Sequence, residues 1–155
     1  MTPDEELCRI FREIRIIAVV GASMHDHKPS HFVPRYLQEQ GYRIVPVNPV
    51  RHSAPSLPGG EILGERVYRR LEDVDVPFDA VEVFRPPQEA AAVARSAAAC
   101  GAKVLWFQLG THTDEAVRFA REAGLTVVAD RCMMPEHRRL LEAGVSRQGG
   151  VERGA

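Results

Sequence analysis

The residues with the clearest chemical potential in this sequence form a small polar loop directly behind an apolar run, Ile16–Val20. A glycine lets the backbone approach a ligand closely, hydroxyl and backbone N–H groups donate hydrogen bonds, and a lysine adds a positive charge. Such groups are suited to holding an anion such as a phosphate, above all where a helix begins just behind the loop. The loop residues that carry this chemistry are Gly21, Ala22, Ser23, Lys28 and Ser30.

Two common phosphate-binding patterns do not fit this loop. An NAD-binding loop carries G-x-G-x-x-G, and an acidic residue after the next strand binds the ribose. Here the second and third glycines are missing, and the next apolar run ends in Val47, Asn48 and Pro49 without a carboxylate. The P-loop pattern G-x-x-x-x-G-K-[ST] does not occur. The loop therefore predicts a different anion site, and the alternative is a plain strand-to-helix turn with a capping serine.

Two further groups of reactive side chains were weighed as sites. His25, His27 and His31 are close in sequence, but no acidic or cysteine partner is fixed beside them, so we expect no metal. Cys132 with His137 could form a thiolate nucleophile, yet no clear orienting carboxylate completes the set, and packing at the start of a helix is the preferred interpretation. No catalytic residue is assigned, and whether the protein is an enzyme stays open, with binding preferred.

The elements that must position the loop alternate between apolar runs and helical patterns. Six runs are predicted to be strands, mostly continuously apolar as in a parallel sheet buried on both faces, at 16–20, 43–47, 66–68, 79–84, 103–107 and 126–129. Helical patterns at 31–40, 88–100, 113–123 and 135–143 each end at a glycine. Ser30 and Thr113 are the predicted caps of the first and third of these helices. The alternation predicts a three-layer α/β/α fold with a Rossmann-like, doubly wound parallel sheet of about six strands.

In such a sheet, ligands bind beyond the carboxyl ends of the strands, where the strand order reverses. Four segments that follow predicted strands should meet there: 21–30, 47–51, 84–87 and 108–110. Residues 1–145 are expected to form a single domain, and residues 146–155 a flexible tail.

Composition limits the expected partners. The formal net charge of −1 provides no global attraction to nucleic acid or to an anionic membrane. No apolar run approaches the roughly 20 residues of a membrane span, and the charged, amphipathic N-terminus is unlike a signal peptide. The three cysteines are far apart and include no C-x-x-C, which is typical of reduced thiols in a cytosol. We therefore expect a cytoplasmic protein with a small-molecule ligand.

Five segments together resemble the CoA-binding proteins, whose fold is that of the nucleotide-binding domain of the succinyl-CoA synthetase α-subunit. These segments span about residues 14–140 and are VVGAS, KPSHFVPRYLQEQGYRIVPVNP, DAVEVFRPP, VLWFQLG and ADRCMMPEHRRL. The resemblance implies that coenzyme A (CoA) or an acyl-CoA lies across the strand ends. The implied binding residues are Gly21, Ala22, Ser23, Lys28 and Ser30 at the phosphates; Val47, Asn48 and Pro49 beside the adenosine; Phe84, Arg85 and Pro86 along the middle of the cleft; and Gln108 and Gly110 beyond it.

The chemistry of the ligand agrees with this resemblance. CoA carries a 3′-phosphate where NAD has a neutral hydroxyl, and a neutral Asn48 near Lys28, Arg51 and His52 would accept that charge. The phosphohistidine domain and the ATP-grasp partner subunit of succinyl-CoA synthetase have no counterpart in this sequence, so its ligase chemistry is not carried over. We expect a CoA-binding or acyl-CoA-binding protein, and the alternatives are a CoA-thioester transferase or hydrolase and an NAD(P)-dependent oxidoreductase. The acyl group, the protein partner and the oligomeric state, a homodimer included, stay open.

Overall fold

The computed structural model describes residues 1–49 and 60–144 of the chain, and within them five parallel strands form the main sheet. These strands are β1 (Ile16–Val20), β2 (Arg43–Val47), β5 (Ala80–Val83), β6 (Val104–Phe107) and β7 (Thr126–Ala129). A separate antiparallel hairpin consists of β3 (Glu61–Ile62) and β4 (Glu65–Arg66). The α-helices are α1 (Pro3–Glu13), α2 (Pro29–Glu39), α3 (Ala90–Ala99), α4 (Asp114–Glu122) and α5 (Met133–Glu142).

The order of the strands determines where a ligand can bind. The sheet runs β2-β1-β5-β6-β7, and every neighbouring pair is parallel. Strand β2 therefore lies on one side of β1, and β5, β6 and β7 follow one another on its other side. In doubly wound sheets of this order, the crevice for a ligand opens at the carboxyl ends of the two strands where the direction reverses. Here those two strands are β1 and β5.

Helices cover both faces of the sheet. On one face, α1, α2 and α5 bury apolar side chains against Ile17, Val19 and Trp106. On the other face, α3 and α4 pack closely through small side chains, which is why the alanine-rich run of α3 fits there. All strands except the two edges of the sheet are thus buried on both faces, as their continuous apolar runs predict. The three-layer α/β/α arrangement with a doubly wound parallel sheet is confirmed.

The charged N-terminal segment forms a helix that the sequence analysis did not assign. Thr2 caps α1 by accepting a hydrogen bond from the Glu5 N–H at 3.1 Å, and the Glu5 carboxylate accepts one from the Thr2 N–H at 3.1 Å. This reciprocal pair is a capping box, and Pro3 begins the helix behind it. The helix buries Ile10 and Phe11 against the sheet face, and so it becomes part of the core.

One predicted strand, 66–68, is wrong as a member of the main sheet. Arg66 pairs with Glu61 in the hairpin, and Tyr68 forms a single parallel bridge to Val47. The main sheet therefore has five strands within the described residues, where about six were expected. The physical reason is that the segment is short and flanked by exposed arginines, so it lacks the apolar residues that a strand buried on both faces needs.

The predicted helices form with shifted ends, and one predicted cap is wrong. Thr113 caps α4 through the Ala116 N–H, as predicted. Ser30 does not cap α2, because Pro29 already occupies the first helical position and Lys28 the cap position. Among the described residues, no helix is long and apolar enough to cross a membrane. The predicted tail 146–155 and the predicted cations Arg51 and His52 lie outside the described residues.

Candidate functional site

The turn after β1 brings the two central strands together. Gly21 has φ +94°, a conformation that side chains disfavour, and its N–H donates to the Val47 carbonyl at 2.7 Å. A Cβ at this position would lie 3.0 Å from Arg85 Cδ and 3.1 Å from the backbone carbonyl group of Phe84. Position 21 therefore requires glycine, and it is the point where the loop after β1 meets the segment after β5.

Hydrogen bonds within the loop fix its shape. Asn48 Nδ2 donates to the Ala22 carbonyl at 2.8 Å, which ties the loop to the end of β2. Ser23 Oγ accepts from the His25 N–H at 3.0 Å, and the Ser23 N–H donates to the Ser30 carbonyl at 3.1 Å. The sequence analysis expected the Ser23 N–H to be a ligand donor. In the structure both its hydroxyl and its N–H serve the loop itself.

The start of α2 carries no capping side chain. Lys28 lies exposed at the cap position, no side chain caps the helix, and its first turn holds no acidic residue. Within the described part of the chain, neither the N–H nor the hydroxyl of Ser30 has a hydrogen-bond partner. A helix start carries partial positive charge and unpaired N–H donors, so an anion placed here would be stabilised.

A cavity of about 370 Å³ opens at the carboxyl ends of β1 and β2, on the side of the sheet that α3 covers. Its volume falls within the range of about 300–1,000 Å³ that is typical of small-molecule sites. Its apolar lining is Val20, Val47, Pro49, Leu71, Ala92 and Val93, and its polar lining is Arg69, Arg70, Glu72, Glu89 and Ser96. Val47 and Pro49, which the sequence predicts beside the adenosine, are thus both part of the cavity lining. Arg69 and Arg70 were not identified from the sequence, because nothing in it shows that this segment folds back over β2.

Arg85 is held by a carboxylate of the protein. Its Nε and Nη2 donate to the two Glu89 oxygens at 3.0 and 2.8 Å, and this pair lies half-buried beside Gly21. The hydrogen bonds from Arg85 lower the pKa of Glu89. The resemblance implied a ligand contact for Arg85, and the structure presents this side chain in an ion pair with Glu89. Pro86, which is exposed, begins the turn that leads to Glu89.

Gln108 and Gly110 follow β6, which β5 separates from β1 and its loop. Gln108 is buried, and its Oε1 accepts from the Met133 N–H at 3.1 Å. Gly110 donates its N–H to Asp130 Oδ1 at 3.0 Å. Both contacts join the loop after β6 to the segment between β7 and α5. No hydrogen bond joins either residue to the described part of the loop after β1, so the sequence-predicted residues form two groups rather than one.

The sequence analysis missed Glu82, a wholly buried acid in the middle of β5. Its side chain is 0% exposed, and neither oxygen has a hydrogen-bond partner among the described residues. Burial raises its pKa to about 8, so it is mainly uncharged at neutral pH. The signal in the sequence is a single acid inside an otherwise apolar strand, AVEV.

Cys132 packs against the apolar cluster that contains Trp106, the neighbour of Glu82 in the sheet register. It occupies the cap position of α5 and is half-buried. Burial raises the pKa of its thiol, hydrogen bonds from the Met134 backbone and the Gln108 side chain lower it, and the charge of Glu82 raises it. The thiol is therefore not an activated nucleophile of the kind a nearby cation would create.

His137 is a packing residue, in line with the preferred sequence interpretation. It is 1% exposed, its Nδ1 lies 2.9 Å from the Tyr36 hydroxyl, and its ring meets those of Phe11 and Tyr42 edge-on. His31 Nδ1 lies 2.7 Å from the Ser23 carbonyl oxygen. No cluster of three metal-ligating side chains exists among the described residues.

A doubly wound parallel sheet with a tight glycine turn at the reversal of strand order defines a Rossmann-like α/β domain. Residues 15–138 match the family model of the CoA binding domain, and the chain belongs to that family. The family predicted from the five sequence segments is therefore confirmed.

Similar proteins are found both among curated sequences and among solved structures. The uncharacterized protein YneT of Bacillus subtilis (strain 168) is 35% identical over 132 residues, which are 85% of this chain and 92% of that protein. A solved structure from Thermus thermophilus is 40% identical with a TM-score of 0.80 and covers 90% of this chain and 99% of its own. The dinucleotide-forming acetyl-coenzyme A synthetase 1 of Ca. Korarchaeum cryptofilum is 25% identical with a TM-score of 0.62, and the match covers 79% of this chain but 27% of that one.

Proposed function

We propose that this protein is a single-domain, cytosolic binding protein for CoA or an acyl-CoA, which holds its ligand across the carboxyl edge of the sheet. The observation that carries the proposal is the uncapped start of α2, with Lys28 beside it and no acidic residue in its first turn. The cavity next to Val47 and Pro49 lies at the same edge of the sheet. Membership of the CoA-binding family supports CoA as the ligand.

Each part of CoA has a chemically matched surface along this edge. The adenine ring fits the apolar part of the 370 Å³ cavity, where Val47 and Leu71 present aliphatic groups. The diphosphate fits the start of α2 with Lys28, because a helix start and a cation both stabilise negative charge. Arg69 and Arg70 on the cavity rim are the cations best placed for the 3′-phosphate.

Arg69 is the better candidate of these two arginines. Arg70 Nη2 already donates to Asp73 Oδ1 at 3.0 Å, and the side chains are 68% and 42% exposed. This exposed pair is weak, but it gives Arg70 a partner within the protein. Arg69 has no ion pair within the described residues and is exposed.

The enzyme alternatives lack a matched set of groups. A CoA-thioester transferase or hydrolase would need an activated nucleophile or base, while burial keeps Cys132 protonated and Tyr36 engages His137. An oxidoreductase would need a carboxylate where Asn48 lies, and the Asn48 amide is used to hold the loop. Ligase chemistry belongs to the synthetase as a whole, of which this fold matches 27%.

Titration calorimetry with the purified protein tests the proposal. We expect CoA to bind more tightly than dephospho-CoA, and both more tightly than NAD, with no free thiol released from acetyl-CoA during the measurement. A native mass spectrum of freshly purified protein should show a CoA-sized addition. NAD or NADP binding more tightly than CoA would replace this proposal with the oxidoreductase alternative, and release of thiol from acetyl-CoA would replace it with the thioester enzyme.

A further inference from the structure

We propose that the outer edge of β7 is a dimer interface, at which a second copy of this chain adds its own β7 as an antiparallel strand. The two main sheets then form one continuous sheet across the two copies. The proposal is independent of the proposed function, because β7 lies three strands away from β1 and its loop. Three observations carry it: the open backbone of β7, the closed backbone of the opposite edge, and a self-complementary charge pattern on the neighbouring helix α4.

The backbone of β7 has unused hydrogen-bonding groups along its outer side. The N–H groups of Thr126 and Asp130 donate to carbonyl groups of the chain around β6, at 2.9 and 3.0 Å. Alternate residues of a parallel strand face the same neighbour, so the odd-numbered residues between them, Val127 and Ala129, direct their N–H and C=O groups away from β6. Within the residues that the structure describes, no strand pairs with β7 on that outer side.

The opposite edge of the sheet, β2, is closed to a further strand. Pro46 lies inside β2 and has no N–H to donate. Its carbonyl accepts from the Tyr68 N–H at 3.0 Å, and the Asn48 N–H donates to the Tyr68 carbonyl at 2.8 Å. A proline and a covering segment both protect an edge strand from pairing with another chain.

The edge strand β7 lacks these forms of protection in the described part of the chain. Its sequence, TVVA, contains no proline and no charged residue, and three of its four residues are β-branched. A strand of this composition with open backbone groups is a template for another strand. The contrast between the two edges therefore indicates that β7 is paired in the working protein.

The helix beside this edge carries charges that have no partner in one copy. Asp114, Val117, Arg118, Arg121 and Glu122 recur at intervals of three and four residues, so they form one stripe of α4. This stripe and the end of β7 line a groove along the edge. The four charged side chains are exposed, and none of them forms an ion pair within the described residues.

A second copy of the chain is the occupant that this stripe fits. The first turn of α4 is acidic and its last turn is basic. Two antiparallel β7 strands are related by a two-fold axis perpendicular to the sheet, and the same axis places the two α4 helices antiparallel on one face. Asp114 of each copy then lies opposite Arg121 of the other. The charge pattern is therefore complementary to itself, and the two ion pairs are equivalent.

The outward backbone groups also determine the register of the two strands. When Val128 lies on the two-fold axis, Val127 of each copy faces Ala129 of the other, and the two residues exchange both of their hydrogen bonds. All the outward N–H and C=O groups of β7 are then paired. Because β7 is short, contacts between the two α4 helices have to supply the rest of the interface.

Sedimentation velocity of the purified full-length protein between about 1 and 100 µM tests the association. We expect a concentration-dependent species with twice the 17.2 kDa mass of one chain. A protein that stays monomeric over this whole range would overturn the proposal.

Ala129→Pro tests the backbone pairing. The substitution removes an outward N–H from each copy and leaves the ladder to β6 intact, because the Ala129 N–H does not face β6. It should weaken the dimer at least about tenfold, while circular dichroism shows an unchanged fold. A folded Ala129→Pro variant that dimerises like the wild type would contradict the strand pairing.

Charge reversal on α4 tests the occupant even if the proline variant does not fold. Asp114→Arg and Arg121→Asp should each weaken the dimer about tenfold or more, since each places like charges opposite one another, and the loss should shrink as salt is added. The double variant D114R/R121D restores the complementary pairs and should dimerise like the wild type. Glu115→Arg is the matched control, because Glu115 is exposed in the same first turn but lies outside the stripe. A dimer that persists in both single variants, or a double variant that stays monomeric, would show that the copies do not meet at this edge.

Discussion

Replacement of Glu82 by glutamine should change how the stability of the protein depends on pH. An unfolded glutamate has a pKa near 4.5, and burial raises the pKa of Glu82 in the folded protein to about 8. The folded state therefore binds this proton more tightly than the unfolded state does. Below pH 4.5 the acid is protonated in both states and has no effect. As the pH rises toward 8, ionisation favours the unfolded state, and the free energy of unfolding of the wild type falls.

The magnitude follows from the two pKa values. Each unit of pH between them removes about 1.4 kcal/mol from the free energy of unfolding, so the loss is about 3.4 kcal/mol at pH 7 and levels off near 5 kcal/mol above pH 8. This is a large share of the 5–15 kcal/mol that is usual for a whole domain. E82Q does not ionise and escapes the loss. Its unpartnered amide adds an offset, but that offset is the same at every pH.

Urea unfolding of wild type, E82Q and the exposed control E122Q between pH 5 and 8 measures the effect. The difference in free energy of unfolding between E82Q and wild type should grow by about 4 kcal/mol across this range, with unchanged urea dependence. The control should follow the wild type. A difference that stays constant with pH would refute the reasoning, since it would mean that Glu82 is ionised or neutral in both states alike.

The remaining predictions concern ligand binding. Lys28→Ala should weaken the affinity for CoA about 10- to 150-fold, because one charge-assisted hydrogen bond contributes about 1.5–3 kcal/mol. The loss of affinity should shrink as the salt concentration is raised, and a loss that salt does not change would exclude contact between Lys28 and a phosphate. Gly21→Val should abolish binding and lower the melting temperature, since a side chain at φ +94° meets Phe84 and Arg85. Arg69→Ala should reduce the preference for CoA over dephospho-CoA about tenfold, and an unchanged preference would move the 3′-phosphate elsewhere. Arg85→Ala should weaken CoA without unfolding the domain, and Glu89→Gln, which removes a negative charge from the cavity lining and frees Arg85, should not weaken it; a loss of melting temperature that matches the loss of affinity in Arg85→Ala would make the pair structural.

Much of the fold follows from local patterns that the sequence shows directly. The five strands of the main sheet were predicted because each is a continuous apolar run, and the helices α2 to α5 because each is followed by a glycine, whereas α1 was not predicted. The prediction of a strand at 66–68 was wrong because tertiary contacts determine how this segment pairs. Its single bridge from Tyr68 to Val47 does not extend the main sheet. Ser30 failed as a cap because the proline before it set the start of the helix two residues earlier.

The candidate site was harder to predict, because its parts are joined by contacts between distant residues. Asn48 was expected near the ligand for its neutral charge, whereas the structure uses its amide to hold Ala22. Arg69 became a candidate only when the chain after the hairpin placed it at the cavity. Both depend on where a segment lies relative to another element, which periodicity and residue type do not determine.

The position of Gly21 links the two halves of the proposed ligand path. The cavity for the nucleotide lies on the α3 side of the sheet, while the start of α2 with Lys28 lies on the other side. A ligand that contacts both sides of the sheet has to cross its carboxyl edge. The crevice for this crossing lies between β1 and β5, where the strand order reverses. There the backbone of Phe84 comes so near Gly21 that a Cβ does not fit. Glycine at position 21 therefore lets the loop after β1 pack directly on the backbone after β5, and a side chain there would push the two apart at the edge that the proposed ligand crosses.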